Sequence, residues 1–225
     1  MHQLVLKFKE KCVDTFLSKV IITPVLIEKV MELTSGQSKS NLWFELRYGR
    51  LTASRAFEIS RSKVSDGTLV SLILGGKVPE TKHMKRGCVL EDQVRMIVEK
   101  MLCKKIKKCG LVLSSKYPMI AGSPDGICED SIIEIKCPIS LKTYVNYVKN
   151  GQPTEKCNVQ IQLQMYLTGK KHAFFCVADP DFAINKKVEI ISVQINHEYM
   201  EKFISEKLVP FWKRNIYPLL YKSVI

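Results

Sequence analysis

A change of hydrophobic period partway along the chain constrains its fold more than any other feature of the sequence. Up to about residue 103 apolar residues recur at helical spacing, and beyond it they come in short β-branched or aromatic runs. Leu4, Phe8, Cys12, Phe16 and Val20 lie four apart and paint one stripe on a helix expected over residues 2–21. Thr23-Pro24 supplies a cap and a first-turn proline for a second helix to residue 33, and Ser35-Gly36-Gln37-Ser38 breaks it. Helices are also expected over 41–48, from about 52, over 69–74 closed by Gly75-Gly76, and over 84–103. Strands follow at 110–114, 119–122, 131–137, 172–178 and 187–195, with helices over 141–149 and 159–168 between them. A last helix is expected over 197–221, kinked or broken by Pro210 and Pro218 and anchored in the core by Phe211 and Trp212. This order predicts an α/β fold with a central mixed sheet flanked by helices. With no repeat and no low-complexity linker, residues 39–225 read as one domain and residues 1–38 as an appended helical arm.

The composition narrows the partners. A formal charge of +13 draws polyanions, nucleic acid first among them. No Lys-rich amphipathic helix with an aromatic face favours a membrane surface instead. The apolar stretch 20–27 is too short to span a bilayer and contains Pro24, and charged residues interrupt the start of the chain. The expected setting is therefore intracellular: nuclear in a eukaryote, cytoplasmic in a bacterium or phage infection. Eight cysteines without a C-x-x-C pair read as buried small hydrophobes in a reducing compartment. Four dispersed histidines argue against a zinc site, so carboxylates become the expected metal ligands. Lys100, Lys104, Lys105, Lys107 and Lys108 read as a solvated helix end that adds to attraction for a nucleic-acid backbone.

The chemistry concentrates in Ser123-Pro124-Asp125-Gly126 and Ile132-Ile133-Glu134-Ile135-Lys136-Cys137-Pro138. Strand alternation sends Glu134 and Lys136 to one face while Ile133 and Ile135 anchor the other. A Pro-Asp-Gly turn is suited to bring Asp125 beside Glu134. Two hard carboxylates, a backbone carbonyl such as that of Ile135, and waters are what Mg²⁺ takes. Lys136 beside them can orient or deprotonate an attacking water, or neutralise charge in a phosphoryl-transfer transition state. Taken alone, Glu-x-Lys is more often a solvated edge. The flanking isoleucines and proline make that reading less apt here.

Pro124-Asp125 with Glu134-Ile135-Lys136 resembles the signature of the PD-(D/E)XK nuclease superfamily. Three further blocks resemble its phage lambda exonuclease, or YqaJ-type viral recombinase, branch: Trp43 to Ser54, Arg86-Gly87-Cys88-Val89-Leu90-Glu91, and Gln160 to Gly169. The resemblance covers about residues 40–215 and implies a restriction-endonuclease-like core. It implies Asp125, Glu134, the Ile135 carbonyl and Glu91 as ligands of two Mg²⁺ (or Mn²⁺) ions, with Lys136 as the catalytic lysine. Gln162, with Tyr166 on the same helix face, would orient the centre, and Gln160 would support it from another face. Arg47, Ser54 and Ser123 would hold a 5′-phosphate, a task that suits a planar guanidinium. The implied activity is 5′-to-3′ digestion of linear duplex DNA from 5′-phosphorylated ends, in recombination or end processing. A ring-like homotrimer and a single-strand-annealing partner protein are implied by the family alone. Two other readings compete: an endonuclease of the same superfamily, and a catalytically silent DNA-binding module. A pure binder has no use for carboxylates beside phosphates, which disfavours the last.

Overall fold

The computed structural model describes residues 1–62, 67–76, 79 and 81–225, the side chain of His83 excepted. In chain order the helices and strands are α1 (His2–Phe8), α2 (Val13–Lys19), α3 (Pro24–Leu33), α4 (Asn41–Arg47), β1 (Leu51–Thr52), α5 (Ala56–Arg61), α6 (Thr68–Ile73) and α7 (Lys82–Leu102). After these come β2 (Val112–Leu113), β3 (Ile120–Gly122), β4 (Gly126–Ile127), β5 (Ser131–Lys136), α8 (Leu141–Tyr144), β6 (Val148–Lys149), β7 (Gln152–Pro153) and α9 (Glu155–Thr168). The chain ends with β8 (His172–Ala178), α10 (Phe182–Asn185), β9 (Val188–Gln194), α11 (His197–Phe203), α12 (Val209–Phe211) and α13 (Tyr217–Lys222). They divide into two compact units. The first comprises Met1–Val78, Gly110–Ser123 and Asn196–Ile225, and the second Pro79–Cys109 and Pro124–Ile195.

In the first unit a small sheet of order β1-β3-β2 is surrounded by helices. The single N-terminal helix expected from the four-residue stripe is two helices. Lys9 adopts φ 48° and closes α1, and Cys12 caps α2. The break lets Phe8 and Phe16 meet edge-on at 6.2 Å, and Phe16 packs on Tyr217 at 4.9 Å and Trp212 at 6.4 Å. Gly110 passes so close to α3 that a Cβ there would lie 2.1 Å from the Met31 carbonyl oxygen. The helical run at the C-terminus continues past both prolines. Five-residue π-helical turns over Ile204–Leu208 and Trp212–Ile216 precede α12 and α13, which carry Pro210 and Pro218 in their first turns. Phe211 and Trp212 are buried as expected.

The second unit is a four-stranded mixed sheet, β4-β5-β8-β9, covered on both faces. β5 runs parallel to β8, and the other two pairings are antiparallel. Leu90, Val94 and Val98 recur every fourth residue along α7 and pack on Ile133, Ile135 and Cys137 of one face. Cys157, Ile161 and Met165 of α9 pack on Ile132, Ala173, Phe175 and Val177 of the other. Residues 141–149, expected as one helix, form only the short α8 before the β6-β7 hairpin. Asn150 at φ 52° and Gly151 at φ 68° make the two-residue turn of that hairpin. Positive φ at both central residues fits the right-handed twist of a hairpin, and Asn-Gly is the pair that adopts it most readily.

Candidate active site

The β4-β5 hairpin brings the two candidate carboxylates, Asp125 and Glu134, side by side. Gly126 pairs with Ile133, so Asp125, one residue earlier, comes alongside the far half of β5. Its Oδ2 accepts from the Ile135 amide at 2.7 Å, which fixes the carboxylate against the strand. Gly126 makes the approach possible: a Cβ there would sit 2.5 Å from Ile106 Cγ2. Glu134 and Lys136 share the α9 side with Ile132, while Ile133 and Ile135 enter the α7 side, as alternation predicts.

Glu134 is 2% exposed, and both of its oxygens are taken. Lys136 Nζ donates to Oε1 at 2.6 Å and Gln160 Nε2 to the same oxygen at 2.5 Å. Gln164 Nε2 donates to Oε2 at 2.8 Å. The α9 face that serves the carboxylate is therefore that of Gln160 and Gln164, one turn apart. Gln162, singled out from the sequence, turns its amide to the Gln194 carbonyl at 2.8 Å, because two residues along a helix is a rotation of about 200°. Tyr166, four residues on from Gln162, is half-buried. Gln164 escaped the sequence reading, although its i,i+4 spacing from Gln160 was visible.

Glu91 lies on α7, where its Oε1 accepts from Arg95 Nη1 at 3.1 Å. The same nitrogen donates to the Asp125 carbonyl oxygen at 3.2 Å, and Nη2 pairs with Asp92. The Asp125 carboxyl is pushed well above the usual carboxylate range, first by burial and then by the nearby charges of Glu134 and Glu91. Lys136 and the Ile135 amide offset this only in part. Burial alone would lower the Lys136 ammonium pKa, but the carboxylates of Glu134 and Asp125 overcome that and raise it. Among the described residues no three His, Cys, Asp or Glu side chains close into a ready-made metal cage. The donor set nonetheless fits a hard divalent cation. Asp125 and Glu134 are oxygen donors whose buried negative charge exceeds what Lys136 compensates, and a divalent ion would make up the difference.

In the first unit, Arg47 and Ser123 both contact Trp43. The Arg47 guanidinium lies 3.7 Å from the centre of the indole ring, and Trp43 Nε1 donates to Ser123 Oγ at 2.9 Å. Thr52 pairs in parallel with Ala121, so Ser54 and Ser123 each stand two residues beyond that pair, off the same end of β1 and β3. Ser54 Oγ lies 3.3 Å from Thr52 Oγ1. Burial, then the charge of Arg55, lowers the Arg47 pKa to about 10, which leaves it a cation at neutral pH. Trp43, which the sequence marks only as part of a motif, joins the arginine to the serine.

A mixed sheet with a carboxylate-bearing hairpin on its central strand and helices over both faces is the restriction-endonuclease-like architecture. The chain belongs to the YqaJ-like viral recombinase family, whose domain matches residues 42–171. Among solved structures it is similar to the alkaline exonuclease LHK-Exo from Laribacter hongkongensis, at 25% identity and a TM-score of 0.68. That match covers 82% of this chain and 98% of that one. LHK-Exo in complex with dAMP matches at 22% identity and a TM-score of 0.66, over 82% of this chain and 94% of that one. A phage-related exonuclease from Haemophilus somnus 129PT matches at 15% identity and a TM-score of 0.54, covering 80% and 97% of the two chains. The last two speak for the shared fold only. No curated protein sequence matches this chain.

Proposed function

We propose that the protein is a Mg²⁺-dependent deoxyribonuclease of exonuclease type, degrading linear duplex DNA 5′ to 3′ from 5′-phosphorylated ends during recombination or end processing. The observation that carries this reading is the convergence of Asp125, Glu134 and Lys136 on one hairpin, in a chain of the YqaJ-like family that resembles an alkaline exonuclease. Asp125 and Glu134 would hold the cation, with the Ile135 carbonyl and Glu91 beside them. When bound, the cation supplies Lewis-acid polarisation of the phosphoryl oxygen and a more acidic water. Lys136, kept protonated by its carboxylate neighbours, donates a hydrogen bond and positive charge to the phosphate oxygens as negative charge builds on them. Gln160 and Gln164 hold Glu134 in one orientation throughout. Arg47, Ser54 and Ser123 would bind the terminal phosphate, whose extra charge over an internal diester suits a guanidinium held against an indole.

The test is to incubate the protein with Mg²⁺ and linear duplexes that carry or lack a 5′-phosphate, with covalently closed circles alongside. Faster loss of the phosphorylated duplex, intact circles and loss of cleavage in Asp125→Asn with DNA binding retained are expected. Equal digestion of both ends would remove the phosphate reading, and nicked circles would make the protein an endonuclease. Undiminished cleavage by Asp125→Asn would remove the site.

A further inference from the structure

Arg95 is 6% exposed, yet its partners on α7, Glu91 and Asp92, lie where an ordinary helix-surface ion pair would form. Such pairs work in solvent and gain little from burial, while withdrawing a guanidinium from water is costly unless every donor is used well. Here the burial has a direction. The outer end of the cluster is a solvent pair, in which Asp92 also binds Lys108 at 2.7 Å. The inner end is Nη1, which spans Glu91 Oε1 at 3.1 Å and the Asp125 carbonyl oxygen at 3.2 Å, groups 34 residues apart in sequence. An aliphatic side chain beside Val94 and Val98 would pack the same helix without this link. Arginine is suited to the position because its planar fork makes two directed bonds and keeps its charge among carboxylates.

We propose that Arg95 is a positioning residue of the active centre: it locks the Glu91 carboxylate to the backbone of the Asp125 turn, so that helix α7 and the β4-β5 hairpin present their acidic groups to a divalent cation in one fixed arrangement. The proposal rests on the nuclease reading for the cation's use, but not for its binding.

The test measures Mn²⁺ binding to the full chain by the paramagnetic resonance signal of free Mn²⁺, beside kcat and KM on 5′-phosphorylated duplex. It compares Arg95→Ala, Arg95→Lys, Glu91→Gln and the Arg95→Ala/Glu91→Gln double variant. Loss of an outer partner of a metal site weakens binding or activity by about 10–100-fold. Arg95→Ala is expected to lose that much in both Mn²⁺ affinity and kcat, with KM for DNA unchanged. Arg95→Lys should fall between, and Arg95→Ala should cost little more once Glu91→Gln is present. Unchanged Mn²⁺ affinity in Arg95→Ala, a full further loss in the double variant, or a wild-type chain that binds no Mn²⁺ would each overturn the proposal. Should Arg95→Ala fail to fold, Arg95→Lys and Glu91→Gln decide it, and unchanged Mn²⁺ affinity in both overturns it. A wild-type chain that binds Mn²⁺ in an Arg95-dependent way but cleaves no DNA would sink the nuclease reading and leave this one standing.

Discussion

Glu134 is gripped from one helix face by two amides and from its own strand by an ammonium, so its carboxylate has little freedom left. Replacing Gln164 by leucine keeps the volume but frees Oε2, and kcat is expected to fall by about 10–100-fold with a smaller change in KM. Gln162→Leu removes the bond to the Gln194 carbonyl, so it should cost about 1 kcal/mol in a denaturant titration and less in kcat than Gln164→Leu. Steady-state kinetics of the two variants decide the point, and a larger kcat loss in Gln162→Leu would restore that residue to the centre. Much of this was legible. Alternation along the strand is a local rule and sets Glu134 and Lys136 on one face without knowledge of the fold. Asp125 instead joins them from a bend before β4, through the β4-β5 pairing rather than through the turn expected at Pro-Asp-Gly. Three glutamines spaced two apart are a different matter. Which of them faces β5 depends on the phase in which α9 docks, and that is set by Cys157, Ile161 and Met165 packing on the sheet. Arg95 was hidden for a similar reason: its spacing from Glu91 is visible, but its burial is a tertiary fact.

Elements were most readable where one physical signal dominated. The long apolar stripe of α7 and the β-branched runs of β5, β8 and β9 emerged near their expected places. The helix expected over 141–149 is only four residues long because Asn150-Gly151, a strong hairpin signal, draws Val148 and Lys149 into β6. The β4-β5 hairpin offers a direct check on how the acidic turn is held. Gly126→Ala sets a methyl 2.5 Å from Ile106 Cγ2, and such overpacking costs about 1–3 kcal/mol. The denaturation midpoint should drop accordingly, and cleavage should fall further than stability, because Asp125 moves with its neighbour. An alanine variant as stable and active as wild type would mean that the hairpin tolerates the displacement.

At the scale of the whole chain, the division into two units was not legible. The first unit is built from three separated stretches and the second from two, an arrangement no local composition announces. No described helix is long and apolar enough to cross a membrane. The cysteines depart from the expectation that all are buried: Cys109, Cys128, Cys137, Cys157 and Cys176 are, but Cys12, Cys88 and Cys103 are exposed. Burial, then the Asp125 charge, pushes Cys109 up to about 12, and burial likewise raises Cys137 to about 12. Hydrogen bonds at the start of α2, that from the Thr15 side chain first, lower Cys12. Only the thiolate reacts, so a thiol-disulfide reagent at pH 8 should titrate three thiols in the native protein, Cys12 first, and the remaining five only on unfolding. Five or more fast thiols would show that the buried set is not protected.

The two π-helical turns near the C-terminus make sense of a spacing that an ordinary helix could not use. Met200, Ile204, Leu208, Trp212, Ile216 and Leu220 recur every fourth residue, and all are fully buried. At 3.6 residues per turn each such step overshoots by about 40°, so five steps would carry the stripe about 200° around the helix. Unwinding the helix at Ile204–Leu208 and Trp212–Ile216 slows that drift and keeps the six side chains turned inward. The N-terminal stripe from Leu4 to Val20 has the same period and meets the same mismatch by breaking at Lys9. One arithmetic problem, posed at both ends of the chain, is answered once by stretching a helix and once by cutting it.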